Sequence, residues 1–314
     1  MKYRRLGKTD LNVSVVGIGT FQMGGAWSKN FDQPEVDAVI NEGRETGINL
    51  IDTAECYGDH LAEKMIGKAI RSDRTNWIVA TKFGHRRYNL LERKDLWSAA
   101  DVQKQLEDSL TALQTDYIDI YQFHSGGNDV FDNDMLWTML DKQVLAGKIR
   151  YLGISLSKSS RDIQQHQTAQ AGRVGARTIQ VLYNRLVRDA EKTVFPSCEK
   201  QELGVLVRVP LESGFLTGKY KSGVVFDSSD VRAKKYDPQT LQQILIRVAR
   251  IRKEEVPPKI PMPAWALAWC LQHPAVSCVI TGCKGPEHIR QNAAAADLDM
   301  VSADHPLSMK TGRG

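Results

Sequence analysis

The chain has 314 residues, more than one ordinary domain of about 100–200 and enough for a closed α/β barrel of about 250. Its 42 basic and 37 acidic residues leave a net charge of +5 with only short basic clusters such as Arg86-Arg87 and Lys234-Lys235, which disfavours a nucleic-acid or membrane-surface protein. Hydrophobic residues at 42% and charged ones at 25% exclude general disorder; with no bilayer-length apolar run and no signal-peptide core, a soluble cytoplasmic chain is expected.

In chain order, Tyr3–Leu6 and Leu11–Val13 flank Gly7-Lys8-Thr9-Asp10 and read as a β-hairpin that could plug a barrel floor. Strands and helices then alternate. Val15–Gly19 precedes a helix over Pro34–Thr46, and Ile48–Asp52 one over His60–Arg71. Trp77–Lys82 precedes a helix from Ala100, with Asp101 in its first turn, to Leu113. Tyr117–Phe123 is followed by Asn133–Ala146, stopped at Gly147. Ile149–Ser155 leads to a helix ending near Gln170, and Thr178–Val181 to Ala190–Gln201. Gly204–Val209 is the seventh strand, Val276–Thr281 the eighth, and Pro286–Ala296 closes the series.

Continuous apolar strands followed by helices indicate parallel βαβ units covered on both faces. Eight such units fit a single (β/α)8 barrel over 1–314 better than an open sheet. The stretch Glu212–Pro238 between strand seven and its helix is long and polar, and loops of that length are usually functional or mobile.

Several signatures are near misses. Gly17-Ile18-Gly19-Thr20-Phe21-Gln22 has Gln in place of the third glycine of a dinucleotide fingerprint. Gly7-Lys8-Thr9 lacks the first glycine of a P-loop, and Gly153-Ile154-Ser155-Leu156-Ser157 lacks the closing glycine of a nucleophile elbow. The five cysteines include no CxxC, and no two histidines stand at helical spacing, so no metal site is expected.

The ends of the strands say more. A strand buried on both faces should be apolar, yet successive strands end in or near Asp52, Lys82, His124, Ser155 and Gln180. Taken singly, each has a bland explanation: a helix cap, a structural ion pair, a core histidine. Together they line the face of a (β/α)8 barrel where active sites sit.

Asp52-Thr53-Ala54-Glu55-Cys56-Tyr57-Gly58, with Lys82 thirty residues on and His124 after Gln122-Phe123, resembles the aldo-keto reductase superfamily. So do Arg5-Leu6-Gly7-Lys8-Thr9, Leu113–Asp119, Gly147-Lys148-Ile149-Arg150 and Leu216-Thr217-Gly218-Lys219-Tyr220. The likeness runs nearly the whole chain and is nearer to the bacterial and potassium-channel-β-subunit-like branch. It implies a (β/α)8 barrel, NADPH/NADP+ as cofactor and a small-molecule carbonyl substrate. It leaves open a non-catalytic, cofactor-binding regulatory subunit, and nothing in it sets the oligomeric state.

By the same resemblance Tyr57, Lys82, Asp52 and His124 are the catalytic set. Tyr57 gives a proton to the carbonyl oxygen, which His124 orients, and Asp52 keeps Lys82 charged. A phenol has a reference pKa of about 10, and one ammonium about 4 Å away supplies about 4 kcal/mol at an effective dielectric of 20. Lys82 is therefore expected to bring the phenol down, before the cost of burying it.

Carried over as cofactor residues are Gly19, Thr20, Phe21 and Asp52, with Ser155 and Gln180 on the nicotinamide carboxamide. Pro210, Leu211 and Gly214 are carried over as well, Lys219 should reach the pyrophosphate, and Arg232 is a second candidate there. Gly282, Lys284, His288, Gln291 and Asn292 belong to the segment that grips the adenosine 2′-phosphate and adenine. Independently, that segment is a strand exit with Pro286 opening a helix, whose N–H groups favour an anion. Because Gln291 stands where the family often has an acid, Lys284 is expected to meet the phosphate without a competing carboxylate. Other departures are Leu156 after the serine and Arg208-Val209 before Pro210-Leu211. Phe21, Trp27, Tyr57, Phe83 and His124 are the expected lining of the substrate pocket.

Overall fold

The computed structural model describes residues 1–25, 29–87, 93–158, 160–228 and 230–298. Among them, eight parallel strands close into a barrel: β1 Val16–Gly19, β2 Leu50–Asp52, β3 Ile78–Phe83, β4 Ile118–His124, β5 Ile149–Ser155, β6 Ala176–Leu182, β7 Gly204–Arg208 and β8 Val276–Gly282. Neighbours follow chain order, and β8 closes on β1 with Ile280 opposite Gly17 and Gly282 opposite Gly19.

The outer layer contains α1 Gln33–Thr46, α2 Leu61–Ile70, α3 Ala99–Leu113, α4 Asp134–Leu145, α5 Arg161–Ala169, α6 Phe195–Gln201, α7 Pro238–Glu254, α8 Met262–Leu271 and α9 Pro286–Ala293. Local chemistry sets where they start. Asp32 caps α1 by accepting from the Glu35 N–H at 2.9 Å, while Glu35 accepts from the Asp32 N–H, a reciprocal capping box. Ser98 caps α3 from outside the first turn. The helix expected over Ala190–Gln201 is two, Ala190–Thr193 and α6, broken at Val194 with φ −121° and ψ −52°. Pro196 has no N–H, and its ring would clash with the carbonyl four residues back.

Two layers of core follow from strand alternation. Outward residues pack under the helices, whereas Leu50, Ile78, Ala80, Ile120, Leu206, Cys278 and Ile280 fill the barrel interior. The antiparallel hairpin Tyr3–Arg5 with Asn12–Ser14 closes the floor and adds Leu6, Leu11 and Val13 to that inner cluster. The lower barrel is thus solid, and polar strand ends remain at the opposite mouth. A second hairpin, His85–Arg87 with Arg93–Asp95, follows β3. The long segment after β7 holds a 3-10 stretch, Glu212–Thr217, and a short helix, Val231–Lys235. No helix among the described residues is long and apolar enough to cross a membrane.

Candidate active site at the barrel mouth

Asp52 and Lys82 enter the barrel because they stand two residues on from the inward Leu50 and from the inward Ile78 and Ala80 on their strands, and so share their face. Lys82 is completely buried. Its ammonium donates to Asp52 Oδ2 at 2.9 Å, to the Thr53 carbonyl at 2.6 Å and to the Tyr57 hydroxyl at 3.3 Å. An ammonium has three donors and no acceptor, so all three are engaged. Tyr57 therefore accepts from Lys82, and its own O–H is left for another acceptor. Asp52 also accepts from the Gln180 amide at 2.7 Å and the Gln122 amide at 3.4 Å.

Burial alone would lower the Lys82 pKa, but the Asp52 carboxylate and the Tyr57 oxygen hold it above its ordinary value. Lys82 is thus an ammonium. Burial pushes the Tyr57 phenol up to about 12 against the downward pull of Lys82, with Asp52 and Cys56 adding to the rise. Lys82 does pull this phenol down, as expected, but the cost of burial outweighs that pull. The lysine's charge is largely matched by Asp52, so desolvation wins and Tyr57 keeps its proton.

His124, at the end of β4, is half-buried. Its ring stands edge-on to Tyr57 with centroids 6.5 Å apart, and Phe21 is edge-on to Tyr57 at 5.1 Å. The structure thus brings Asp52, Tyr57, Lys82, His124 and Phe21 together. Trp27 lies outside the described residues. Phe83 does not line the pocket. As the next residue after inward Lys82 it turns outward, fully buried against Tyr121 at 4.8 Å and Phe123 at 6.0 Å.

Behind His124, the His85 ring bonds the Asp95 carboxylate at 2.8 Å and the His124 carbonyl at 2.5 Å, tying the second hairpin to β4. Glu55 Oε1 accepts from the His85 backbone N–H at 3.0 Å. Burial pushes the Glu55 carboxyl up to about 8, with that hydrogen bond opposing the rise. Cys56 Sγ lies 3.8 Å from His124 Nδ1.

The expected nicotinamide end is built from buried polar groups: Ser155 Oγ donates to Gln180 Oε1 at 3.2 Å, and Thr20 donates to the Asp52 carbonyl through both N–H and Oγ1. Gly19 is buried beside them, paired with Asp52. These residues suit an amide that both donates and accepts. Arg208 also reaches this mouth, since it shares the inward face of Leu206 and donates to the Leu156 carbonyl at 3.1 Å. Burial lowers its pKa, opposed by Tyr57, Asp52 and Glu212. The sequence marked it only as a departure; a charged residue at the end of a seventh buried strand was the signal to follow.

Beyond β7 the backbone is strained. Val209, Glu212 and Ser213 have φ of 56°, 43° and 55°, a left-handed region that a β-branched valine rarely enters. Asn184 anchors this turn, donating to the Val209 carbonyl at 3.0 Å and to Glu212 at 2.7 Å. Pro210 is buried there, Leu211 and Gly214 are half-buried, and Lys219 is exposed. Arg232 does not suit the pyrophosphate. It is buried, donates to both Asp230 oxygens, to the Ser213 carbonyl and to the Tyr220 hydroxyl, and stacks on Phe226 at 4.2 Å. Its role is to fasten the long loop.

At the other end, Gly285 opens α9 with no side-chain cap, so the first N–H groups of that helix fit an anion. Lys284 and Gln291 are exposed, His288 is half-buried and accepts from the Lys284 N–H at 3.1 Å, and Asn292 is buried. Gly282 sits against the Gln22 side chain, where a Cβ would fall 2.1 Å from the amide nitrogen. Lys284 is not free of the field of an acid. Burial would raise the Asp230 carboxyl, but Arg232 and, more weakly, Lys284 bring it below its ordinary value.

The aldo/keto reductase family pattern matches residues 15–307. The chain belongs to that family. This aldo/keto reductase is 32% identical to the uncharacterized oxidoreductase YqkF of Bacillus subtilis, over 99% of this chain and 96% of the relative. It is 29% identical to the NADH-specific methylglyoxal reductase of Escherichia coli, over 98% and 97%. Among solved structures it is similar to the aldo-keto reductase AKR11C1 of Bacillus halodurans in its holo form, at a TM-score of 0.80 and 28% identity over 99% of this chain and 96% of that one. The family's enzymes are oxidoreductases that use nicotinamide cofactors.

Proposed function

We propose that this aldo/keto reductase uses NADPH to reduce small aldehydes and ketones, open-chain sugars included, to alcohols in the cytoplasm. When bound, the nicotinamide supplies a hydride to the carbonyl carbon. Tyr57 gives its proton to the carbonyl oxygen and is reprotonated from solvent, so one C–H and one O–H bond form as the π bond of the carbonyl is lost and its C–O single bond is kept. His124 hydrogen-bonds that oxygen and orients it. Lys82, held charged by Asp52, stabilises the negative charge that passes to the phenol oxygen.

The observation that carries this reading is the disposition of the Lys82 donors, which leaves the Tyr57 O–H directed elsewhere. A charged Lys82 also argues against a Schiff-base lyase, which would need a neutral amine. Ser155 and Gln180 support a nicotinamide amide at the mouth; Lys284 and the uncapped start of α9 support a 2′-phosphate. A charge-assisted contact of Lys284 with that phosphate would give an NADPH preference on the order of tenfold, with the field of Asp230 working against it.

The test is a panel of short aldehydes, dicarbonyls such as methylglyoxal and open-chain sugars, followed by loss of reduced-cofactor absorbance with NADPH and NADH in parallel. Turnover of at least some of them, faster with NADPH, is expected. No turnover with either cofactor would overturn the reductase reading, and a preference for NADH would overturn the cofactor assignment alone.

A further inference from the structure

The loop after β2 and the end of β4 bring together three metal-ligand types that no spacing in the chain announces. One ligand atom each from Glu55, Cys56 and His124 lies within 4.8 Å of the others. Glu55 is 2% exposed, and its Oε2 meets no hydrogen-bond partner among the described residues. At that depth such an oxygen is relieved either by keeping the carboxyl protonated or by a cation that displaces the proton and ligates it. Cys56 is 5% exposed, and its sulfur already lies 3.8 Å from His124 Nδ1. Carboxylate, thiolate and imidazole together suit a borderline-soft divalent cation, with a fourth position open. We propose that Glu55, Cys56 and His124 bind one Zn2+ ion beside Tyr57, and that the bound ion inhibits carbonyl reduction.

Inhibition follows from the size of the cluster. Around tetrahedral zinc, with bonds of about 2.0–2.3 Å, ligand atoms stand about 3.3–3.8 Å apart. Closing on the ion draws Glu55 and Cys56 toward His124. Tyr57 is the next residue in the chain, and the movement disturbs its 3.3 Å approach to Lys82. A misplacement of about 1 Å costs on the order of a hundredfold in rate. The binding claim stands on the ligand set alone; the inhibition claim rests on the reductase reading.

Binding is read first without cofactor or substrate, by titrating Co2+ into the purified protein. One equivalent should produce a thiolate-to-cobalt charge-transfer band that Zn2+ displaces. Cys56→Ser should abolish the band, and Glu55→Gln should weaken both ions at least about tenfold, with circular dichroism showing both variants folded. In the carbonyl assay Zn2+ should inhibit the wild type, EDTA should restore the full rate, and Cys56→Ser, compared with its own metal-free rate, should escape inhibition. No band in the folded wild type, or a band that survives Cys56→Ser, overturns the site. A bound ion that leaves turnover unchanged overturns the inhibition. A protein that shows the band yet never reduces a carbonyl counts against the reductase reading instead.

Discussion

At Tyr57 two demands oppose each other: reduction needs the phenol's proton, and burial holds that proton on. Tyr57→Phe removes the donor and little volume. The carbonyl reduction rate should fall by about 10²–10⁴-fold with cofactor affinity nearly unchanged, read from steady-state kinetics beside a fluorescence titration. With a pKa of about 12 the acid form persists well above neutrality. The reductive rate should therefore show no loss through this group between about pH 6 and pH 10, whereas alcohol oxidation, which needs the phenolate, should climb with pH. A reductive profile that falls through neutrality would contradict the assignment. Because Lys82 pulls the phenol down, Lys82→Met should move it higher still and suppress the oxidative direction. At the far end of the cofactor, Lys284→Met should weaken NADPH by about tenfold and leave NADH nearly untouched, with the wild-type preference shrinking as salt screens the exposed charge. Equal loss for both cofactors would assign Lys284 to the shared pyrophosphate or to the fold.

Among the elements, the hairpin His85–Arg87/Arg93–Asp95 depends on the residue that leads into it. Gly84 has φ of 122°, and a Cβ there would fall 2.0 Å from the Trp97 ring. Gly84→Ala should cost at least about 1–3 kcal/mol in urea unfolding, and adding Trp97→Ala should recover the part due to the clash and none due to the backbone. This hairpin was not legible in the sequence, because its short charged strands carry no apolar alternation. The eight barrel strands were legible to within two residues, because strands covered on both faces must be continuously apolar. α8 is apolar on nearly every side, so no helical stripe marks it. The break before α6 is legible in Pro196, which stands in the first turn of that helix.

For the whole molecule, the floor hairpin divides stability from chemistry. Leu6 is fully buried in the inner cluster, far along the barrel from the polar mouth. Leu6→Ala should cost about 2–5 kcal/mol in urea unfolding, with kcat unchanged at temperatures where the variant is folded. A loss of turnover in the folded variant would show that floor packing reaches the mouth. The polar core of the site was legible because charge at the end of a buried strand needs a reason. What the chain hid were directions: Phe83 faces outward by one step of strand alternation, Arg232 is spent on Asp230, and the Asp230 carboxylate feels the Lys284 charge through loop folding that no local pattern encodes. The three occupied donors of Lys82 have one more consequence. Aldehydes and dicarbonyls condense with neutral amines and add to thiols, so a protein that handles them risks poisoning itself. Here the lysine at the reaction centre is protonated and fully hydrogen-bonded, and all five cysteines are buried. On the proposed reading, adduct formation should fall on exposed surface amines before it reaches the reaction centre, which peptide mapping after methylglyoxal exposure would check.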